Sequence, residues 1–455
     1  MVNYGLLLAG TCGIVWYLRR LSLRLHGNHP AATPRNAPIP EELDNVSYSH
    51  INMLNGIPTK PTMRGYVVVG GSGYVGKYIV KLLLMRGETS VRIIDLDSPS
   101  EFTENPSVSF IRADVTDAQK IREAISKPFD STGKAPEVIF YTVALIRFWE
   151  RASYCFGASY NVNVLGMKNA LDAVHDMSPP PLFIFTSSAE TAIPSPRIGR
   201  LGLDWNSPPY NTVTISDYDP PLVDPYAPTT CYSRTKSMAE DLVRAANGKN
   251  GLKTAILRPG FSITGPNDRA ITGTLLMKQT PVFDKLWSHT NVCVWDVAAA
   301  HLMCEEALET KPEEVAGEAF LISGNPPAWR MRDMRNAAKY YSKKPITLVE
   351  VSPLLIYFLA HFVEAFLFLR YHILRPLSWF LGFKPTLNPR WMGELVYLQP
   401  ATLKYFTDVH IDDSRARKVL GYRPQWDTAQ VIRYAVEEVQ SGKTRSTHGL
   451  QLKSF

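Results

Sequence analysis

The chain has 455 residues, enough for one large folded unit or two to three smaller ones. Its 49 basic and 42 acidic residues leave a formal charge of +7 with no long Lys/Arg run, which argues against nucleic acid as a partner. Five scattered cysteines (Cys12, Cys155, Cys231, Cys293, Cys304) form neither a disulfide framework nor a metal-ligand spacing. No metal site is expected, and the soluble part belongs in a reducing compartment.

The first element is apolar. Residues 2–18 are almost uncharged and run into Arg19, Arg20 and Arg24. A cleaved secretory signal carries its charge ahead of the apolar run, not behind it. The positive-inside rule keeps the arginines and all that follows in the cytosol. The reading is an N-terminal transmembrane helix, with residues 1–26 as membrane anchor; a cleaved signal or an interfacial helix is the alternative. Residues 27–62 hold Pro30, Pro34, Pro38, Pro40, Pro58 and Pro61 without apolar periodicity and read as a linker. The sequon Asn45-Val46-Ser47 is expected to carry no glycan, because it is usable only in the lumen.

From about residue 65, short apolar strands alternate with helical stretches. "YVVV", "SVRIIDLD", "VSFIRADV", "EVIFYTVAL", "LFIFTSSA" and "KTAILRPG" read as strands. The pattern predicts an α/β fold, a Rossmann-type doubly wound parallel sheet covered on both faces. Residues 63–270 form the nucleotide-binding domain in this reading and contain the catalytic residues. Residues 271–440 form a smaller C-terminal substrate-binding region, and 441–455 a tail.

Between the first strand and its helix lies Gly70-Gly71-Ser72-Gly73-Tyr74-Val75-Gly76. Gly70 permits a tight turn, Gly73 lets a pyrophosphate approach the backbone, and Gly76 lets helix and strand close up. The first helical amides, at Tyr74 and Val75, then face the phosphates. Asp95 ends the second strand 19 residues after Gly76, where a carboxylate accepts from ribose hydroxyls. A 2′-phosphate would be repelled by Asp95 and Asp97, so NAD is favoured over NADP. Asp114 ends the third strand and is either an adenine contact or a surface turn carboxylate.

Ser187 and Ser188 follow the fifth strand, at the end that faces the ligand crevice of an open sheet. Ser188 either steadies charge on a substrate oxygen or caps the next segment. Tyr232 and Lys236 stand four apart on a predicted helix and share a face. An ammonium beside the phenol favours phenolate, so Tyr232 could exchange a proton with a substrate hydroxyl while Lys236 holds the nicotinamide ribose.

A second apolar stretch, residues 353–383, is interrupted by His361 and Glu364, which share one helical face with Tyr357 and Phe368. A charge at the bilayer centre costs about 3 kcal/mol, so an interfacial helix or a buried core helix fits better than a second span.

The glycine loop, Asp95, "ADV" at 113–115, Asn163 in "NVNVLG", "TSS" at 186–188, "YSRTK" at 232–236, "LRPG" at 257–260, "WDVAAAH" at 295–301 and "LGYRP" at 420–424 occur in one order. In this the chain resembles the extended short-chain dehydrogenases over residues 64–440, and within them the 3β-hydroxysteroid dehydrogenase and sterol-4α-carboxylate 3-dehydrogenase branch. The resemblance implies Ser188, Tyr232 and Lys236 as the catalytic triad, with Asn163 supporting Lys236 through water. It adds Val115, Ala144 and Pro259 to the cofactor contacts. Two departures stand out. Tyr141-Thr142-Val143-Ala144 replaces the His or Asn with small residues that many relatives carry, and residues 194–228 form a long Pro-rich insertion expected to overhang the pocket.

The expected activity is NAD-dependent oxidation of the 3-hydroxyl of a sterol or triterpenoid. A 4-carboxysterol would then lose CO2, with Arg147 either the cation for its carboxylate or, the reading favoured by its loop position, a solvated arginine. A ketoreductase of a terpenoid or polyketide and a non-catalytic dinucleotide sensor are the alternatives. The implied setting is the endoplasmic reticulum membrane, catalytic domain cytosolic, attached by the N-terminal helix and region 353–383. A sterol-demethylation complex or a homodimer is the implied protein partner.

Overall fold

The computed structural model describes residues 4–26, 40–193, 212–217, 230–284, 286–383 and 385–442. Most of the Pro-rich insertion expected to overhang the pocket lies outside these.

Seven parallel strands form the main sheet. They are β1 (Tyr66–Val69), β2 (Val91–Asp95), β3 (Val108–Arg112), β4 (Val138–Tyr141), β5 (Leu182–Thr186), β7 (Thr254–Pro259) and β8 (Ala319–Ile322); β6 (Thr212–Ser216) belongs elsewhere. Their order is β8-β7-β5-β4-β1-β2-β3. Alternate residues of each strand enter two different apolar layers. Val68, Phe140, Ile184 and Leu257 face one, while Val67, Ile139, Phe183 and Ile256 face the other. Both faces of a parallel sheet are thereby buried, as its unbroken apolar runs require.

The helices that matter here are α1 (Tyr4–Leu25), α2 (Tyr74–Arg86), α3 (Ala118–Ser126), α4 (Gly166–His175), α5 (Cys231–Ala246), α6 (Val294–Thr310), α7 (Pro353–Leu381) and α8 (Thr428–Gln440). α2, α6 and α8 contribute to the first layer, and α3, α4 and α5 to the second. α2 stops where expected. Gly87 adopts φ 94°, and its N–H closes on the carbonyls of Leu83 and Leu84.

Two expected boundaries are corrected. The main sheet takes its edge strand β8 from residues 319–322, so it does not end at residue 270. Residues 40–62 are not a free linker either. Leu43, Met53 and Ile57 are buried in the core, and the Trp426 indole N–H donates to Met53 Sδ at 3.1 Å. The prolines hid this because three well-spaced apolar anchors suffice to dock a segment that has no periodicity.

A second sheet of four strands joins β6 to β9 (Asp408–Asp412), which runs parallel to it from Asp408↔Thr212 to Asp412↔Ser216. β6 lies inside the insertion, where its short β-branched alternation was masked by the surrounding prolines.

α1 is helical as expected. Among the described residues, which begin at Tyr4, only Pro353–Leu381 is long and apolar enough to cross a bilayer, with mean hydropathy 1.6. The end of α1 docks on the body: Leu21 and Leu25 pack with Trp287, Ile356, Tyr357 and Ala360, and the Trp287 indole N–H donates to the Leu25 carbonyl at 3.2 Å.

Candidate active site

β1 and β4 are neighbours in the sheet, yet the chain leaves them on opposite sides, β1 towards β2 and β4 towards β5. Their C-terminal ends flank the crevice where open α/β sheets hold ligands. The glycine turn fills this point. Gly70 has φ 88°, and a Cβ there would stand 2.6 Å from Thr142 Oγ1. A Cβ at Gly76 would stand 2.2 Å from the Gly70 carbonyl oxygen. No other residue fits at either place. The Thr142 hydroxyl faces the Val69 and Gly70 carbonyls at 3.0 and 3.1 Å, so the residue that departs from the family pattern secures the turn.

The N-cap of α2 is Gly73, which has no side chain to occupy the first amides. Tyr74 and Val75 therefore present theirs at a bare helix N-terminus. Asp95 sits beside the turn and accepts from the amides of Ser72 at 3.0 Å and Leu96 at 2.7 Å. Burial pushes its carboxyl up against these bonds. The cradle and the neighbouring carboxylate suit a dinucleotide. Asp114 accepts from the N–H and hydroxyl of Thr116 in a turn, and the Val115 carbonyl accepts from Asn169 at 2.9 Å. Ala144 is half-buried just beyond β4.

Ser188 stands at the N-cap of the short turn Ala189–Thr191 and accepts from the Glu190 amide at 3.2 Å. It also lines the cleft, so its two readings are compatible. Thr230 caps α5 and places Tyr232 in the first turn. The Ser188 hydroxyl is the neighbour that holds the Tyr232 phenol pKa down. Tyr232, Ser188, Pro259 and Tyr74 of the glycine turn all line one cavity of about 200 Å³. A cavity of about 240 Å³ between the end of α1 and the start of α7 contains none of these groups.

Lys236 is 1% exposed. Its ammonium donates to the Thr186 carbonyl at 2.7 Å and lies 4.5 Å from the centre of the Phe185 ring. Burial lowers its pKa to about 7, with Glu240 opposing. The expectation that Lys236 depresses the Tyr232 pKa is corrected. Burial pushes the phenol up, Glu190 adds to this, and only the nearby Ser188 hydroxyl opposes it. Lys236 gives one of its three N–H groups to β5 and is not among the groups that lower the phenol pKa. Tyr232 is accordingly a protonated phenol, ready to donate.

Asn163 lies in the π-turn Asn161–Leu165. Its amide clasps the Leu145 backbone from both sides and donates to Thr235 Oγ1 at 2.9 Å. It thus fastens the loop after β4 to the residue preceding Lys236.

Arg147 does not reach the cleft. Its neighbours Ile146 and Phe148 line the cavity, while Arg147 is bound to buried Glu150 at 3.3 Å. Three residues the motifs did not single out matter more. Glu240 accepts Ser187 Oγ at 2.6 Å and a two-pronged bond from Arg258 at 2.9 and 2.6 Å, all buried. It stands four residues after Lys236 on the same helical face, a spacing too common on helices to have revealed it. The third, Arg269, lines the cavity beside Asn267.

A protein-family model described as the 3-beta hydroxysteroid dehydrogenase/isomerase family matches residues 67–338. A "3 beta-hydroxysteroid dehydrogenase type 7" of Mus musculus is 26% identical over 402 residues, 84% of this chain and 97% of its own. A "3beta-hydroxysteroid-dehydrogenase/decarboxylase isoform 2" of Arabidopsis thaliana is 26% identical over 400 residues, 83% of this chain and 62% of its own. Among solved structures, a UDP-glucose-4-epimerase from Stenotrophomonas maltophila with bound NAD superposes with a TM-score of 0.57 at 15% identity, covering 84% of this chain and 99% of that one. That likeness concerns the fold.

Proposed function

From a chain that belongs to the 3-beta hydroxysteroid dehydrogenase/isomerase family, oxidoreductases acting on CH–OH groups, we propose oxidation of the 3-hydroxyl of a sterol or triterpenoid with NAD. The observation that carries this reading is the single cleft shared by Tyr74 of the glycine turn, Ser188 and Tyr232.

The turn at Gly70, Gly73 and Gly76 and the amides of Tyr74 and Val75 would hold the pyrophosphate. Asp95 would hold the adenosine ribose, and its charge disfavours a 2′-phosphate. The dinucleotide, when bound, supplies the hydride acceptor. Ser188 orients the substrate oxygen, and Tyr232 passes a proton to or from it. Lys236 steadies the end of β5 through the Thr186 carbonyl, which keeps Ser188 opposite Tyr232. The high phenol pKa favours donation, so oxidation should quicken as pH rises and reduction should not.

A substrate with a 4-carboxylate is favoured by the name of the Arabidopsis relative. Oxidation at C3 makes it a β-keto acid. Its C4–carboxylate bond then breaks, the electron pair passes towards the ketone, and CO2 leaves.

Membrane attachment on the cytosolic face of the endoplasmic reticulum completes the reading. α7 turns Ile356, Tyr357, Val363 and Leu367 inwards and leaves Phe362, Leu369, Ile373 and Trp379 exposed. Its Glu364 is bound by Arg151 of the body at 2.6 and 2.7 Å. This supports a helix lying in the interface beside α1 rather than a span.

The test is turnover by the purified protein of a 3-hydroxysterol and a 4-carboxy-3-hydroxysterol with NAD, products read by mass spectrometry. The 3-ketone is expected from both, with CO2 lost from the acid. Faster ketone reduction with NADPH than oxidation with NAD would overturn the reading.

A further inference from the structure

We propose that Arg269 is the residue that selects an acidic substrate, by binding a carboxylate placed next to the hydroxyl that Tyr232 serves. This rests on the reading above and replaces Arg147 in the role first assigned to it.

A 3-hydroxyl and a 4-carboxylate sit on adjacent carbons. Whatever binds the carboxylate must therefore share a cavity with the phenol. Arg269 does so, and Arg147, held by Glu150, does not. The two nitrogens of the Arg269 fork are in unlike states. Nη2 is bound to Glu394 Oε2 at 3.1 Å, and that carboxylate is 71% exposed. Nη1 is buried and bonds to no acceptor among the described residues. A buried guanidinium N–H without an acceptor is costly, so a small turn of the side chain that brings Nη1 to an anion in the cleft would be favoured. The guanidinium lies 4.8 Å from the centre of the Tyr397 ring, which fixes its position and leaves its edge for a planar carboxylate.

Part of the remaining lining suits a sterol, and Glu190, Ser262, Asn267 and Asp268 add polar groups to it. Ile146, Phe148, Phe261 and Ile263 are apolar walls of the same cavity. Tyr397 belongs to the apolar cluster with Trp149, Val363 and Leu367, which joins the Arg269 side of the cleft to α7. Arg269 acts on binding and oxidation only. Loss of CO2 moves charge away from the carboxylate, so a cation there gives that later step no help.

The experiment uses the full-length enzyme in detergent with NAD and two sterols that differ only in the 4-carboxylate. Arg269→Gln should raise KM for the acid roughly 10- to 100-fold, the worth of a charge-assisted bond pair. It should leave KM for NAD unchanged and the neutral sterol within about threefold. Arg269→Lys should recover part of the loss. Glu394→Gln frees the competing prong and should lower KM for the acid. Equal losses on both sterols, a raised KM for NAD, or a weaker acid KM in Glu394→Gln would each overturn the assignment. If the wild-type enzyme handles neither sterol, the proposed function fails. If it oxidises the acid and Arg269→Gln does not discriminate, only the role of Arg269 fails.

Discussion

The catalytic cleft and the outer face of α7 are opposites in solvation. Around the cleft, Lys236, Glu240 and Arg258 are charged and buried. Along α7, Phe362, Trp379 and Phe380 are apolar and 68%, 84% and 86% exposed. The first arrangement is sustained by partners: Thr186 for Lys236, and Ser187 and Arg258 for Glu240. The second has no protein partner among the described residues and suits a medium other than water. The one charge of α7 that faces the body, Glu364, obeys the rule of the cleft and is paired. On the proposed function, buried charge holds the chemistry in place and exposed apolar surface sets where the enzyme works.

The sharpest way to break this contrast is at the phenol. Tyr232→Phe should lower turnover about 1000-fold while dinucleotide affinity is unchanged, read by steady-state kinetics and equilibrium titration. A rate near wild type would remove the cleft from the mechanism.

Next in size is the pair behind it. Glu240→Gln leaves Arg258 buried beside a neutral partner and should cost about 3 kcal/mol of stability by denaturant unfolding. A cost near zero would mean that the buried charges do not depend on one another.

The lysine offers a pH test. Its pKa falls from the ordinary 10.5 to about 7 on folding, so the unfolded chain holds the extra proton between those values. Folding stability from this group therefore rises with pH across that window. Lys236→Met lacks the proton and should be flat there. The stability difference between the two proteins should change by about 1.4 kcal/mol per pH unit from pH 7 to 10, vanishing if Lys236 is not desolvated.

The smallest effect is expected on the other face. Replacing Phe362, Trp379 and Phe380 together by Ser should weaken sedimentation with phospholipid vesicles about tenfold. Turnover of a detergent-dispersed sterol should be unaltered. Lost turnover with retained vesicle binding would show that this face serves the fold, not the membrane.

How much of this could be read beforehand differs by element. The strands from β1 to β5 and β7 were legible because each is a short apolar run, and all but β4 are soon closed by Gly, Pro, Ser or Asp. The glycine turn was legible because only glycine fits at 70 and 76, for reasons local to the chain. Ser188 and Tyr232 were legible through spacing and through their place at element ends. Arg269 was not, because no local pattern tells a cavity arginine from a solvated one. Glu240 was missed for a related reason, since a carboxylate four residues after a lysine is ordinary on any helix.

By itself, then, the amino-acid order determined the doubly wound sheet, the turn at 70–76 and the residues facing its crevice. Those depend on strand and helix periods and on backbone space within a few residues. Tertiary structure alone decided that β8 from residue 319 completes the sheet, that residues 40–62 join the core, and that Lys236 turns to β5. It also decided which arginine enters the cleft and which face of α7 stays outside. These outcomes hang on contacts between segments distant in the chain, where burial and partner geometry outweigh any local preference.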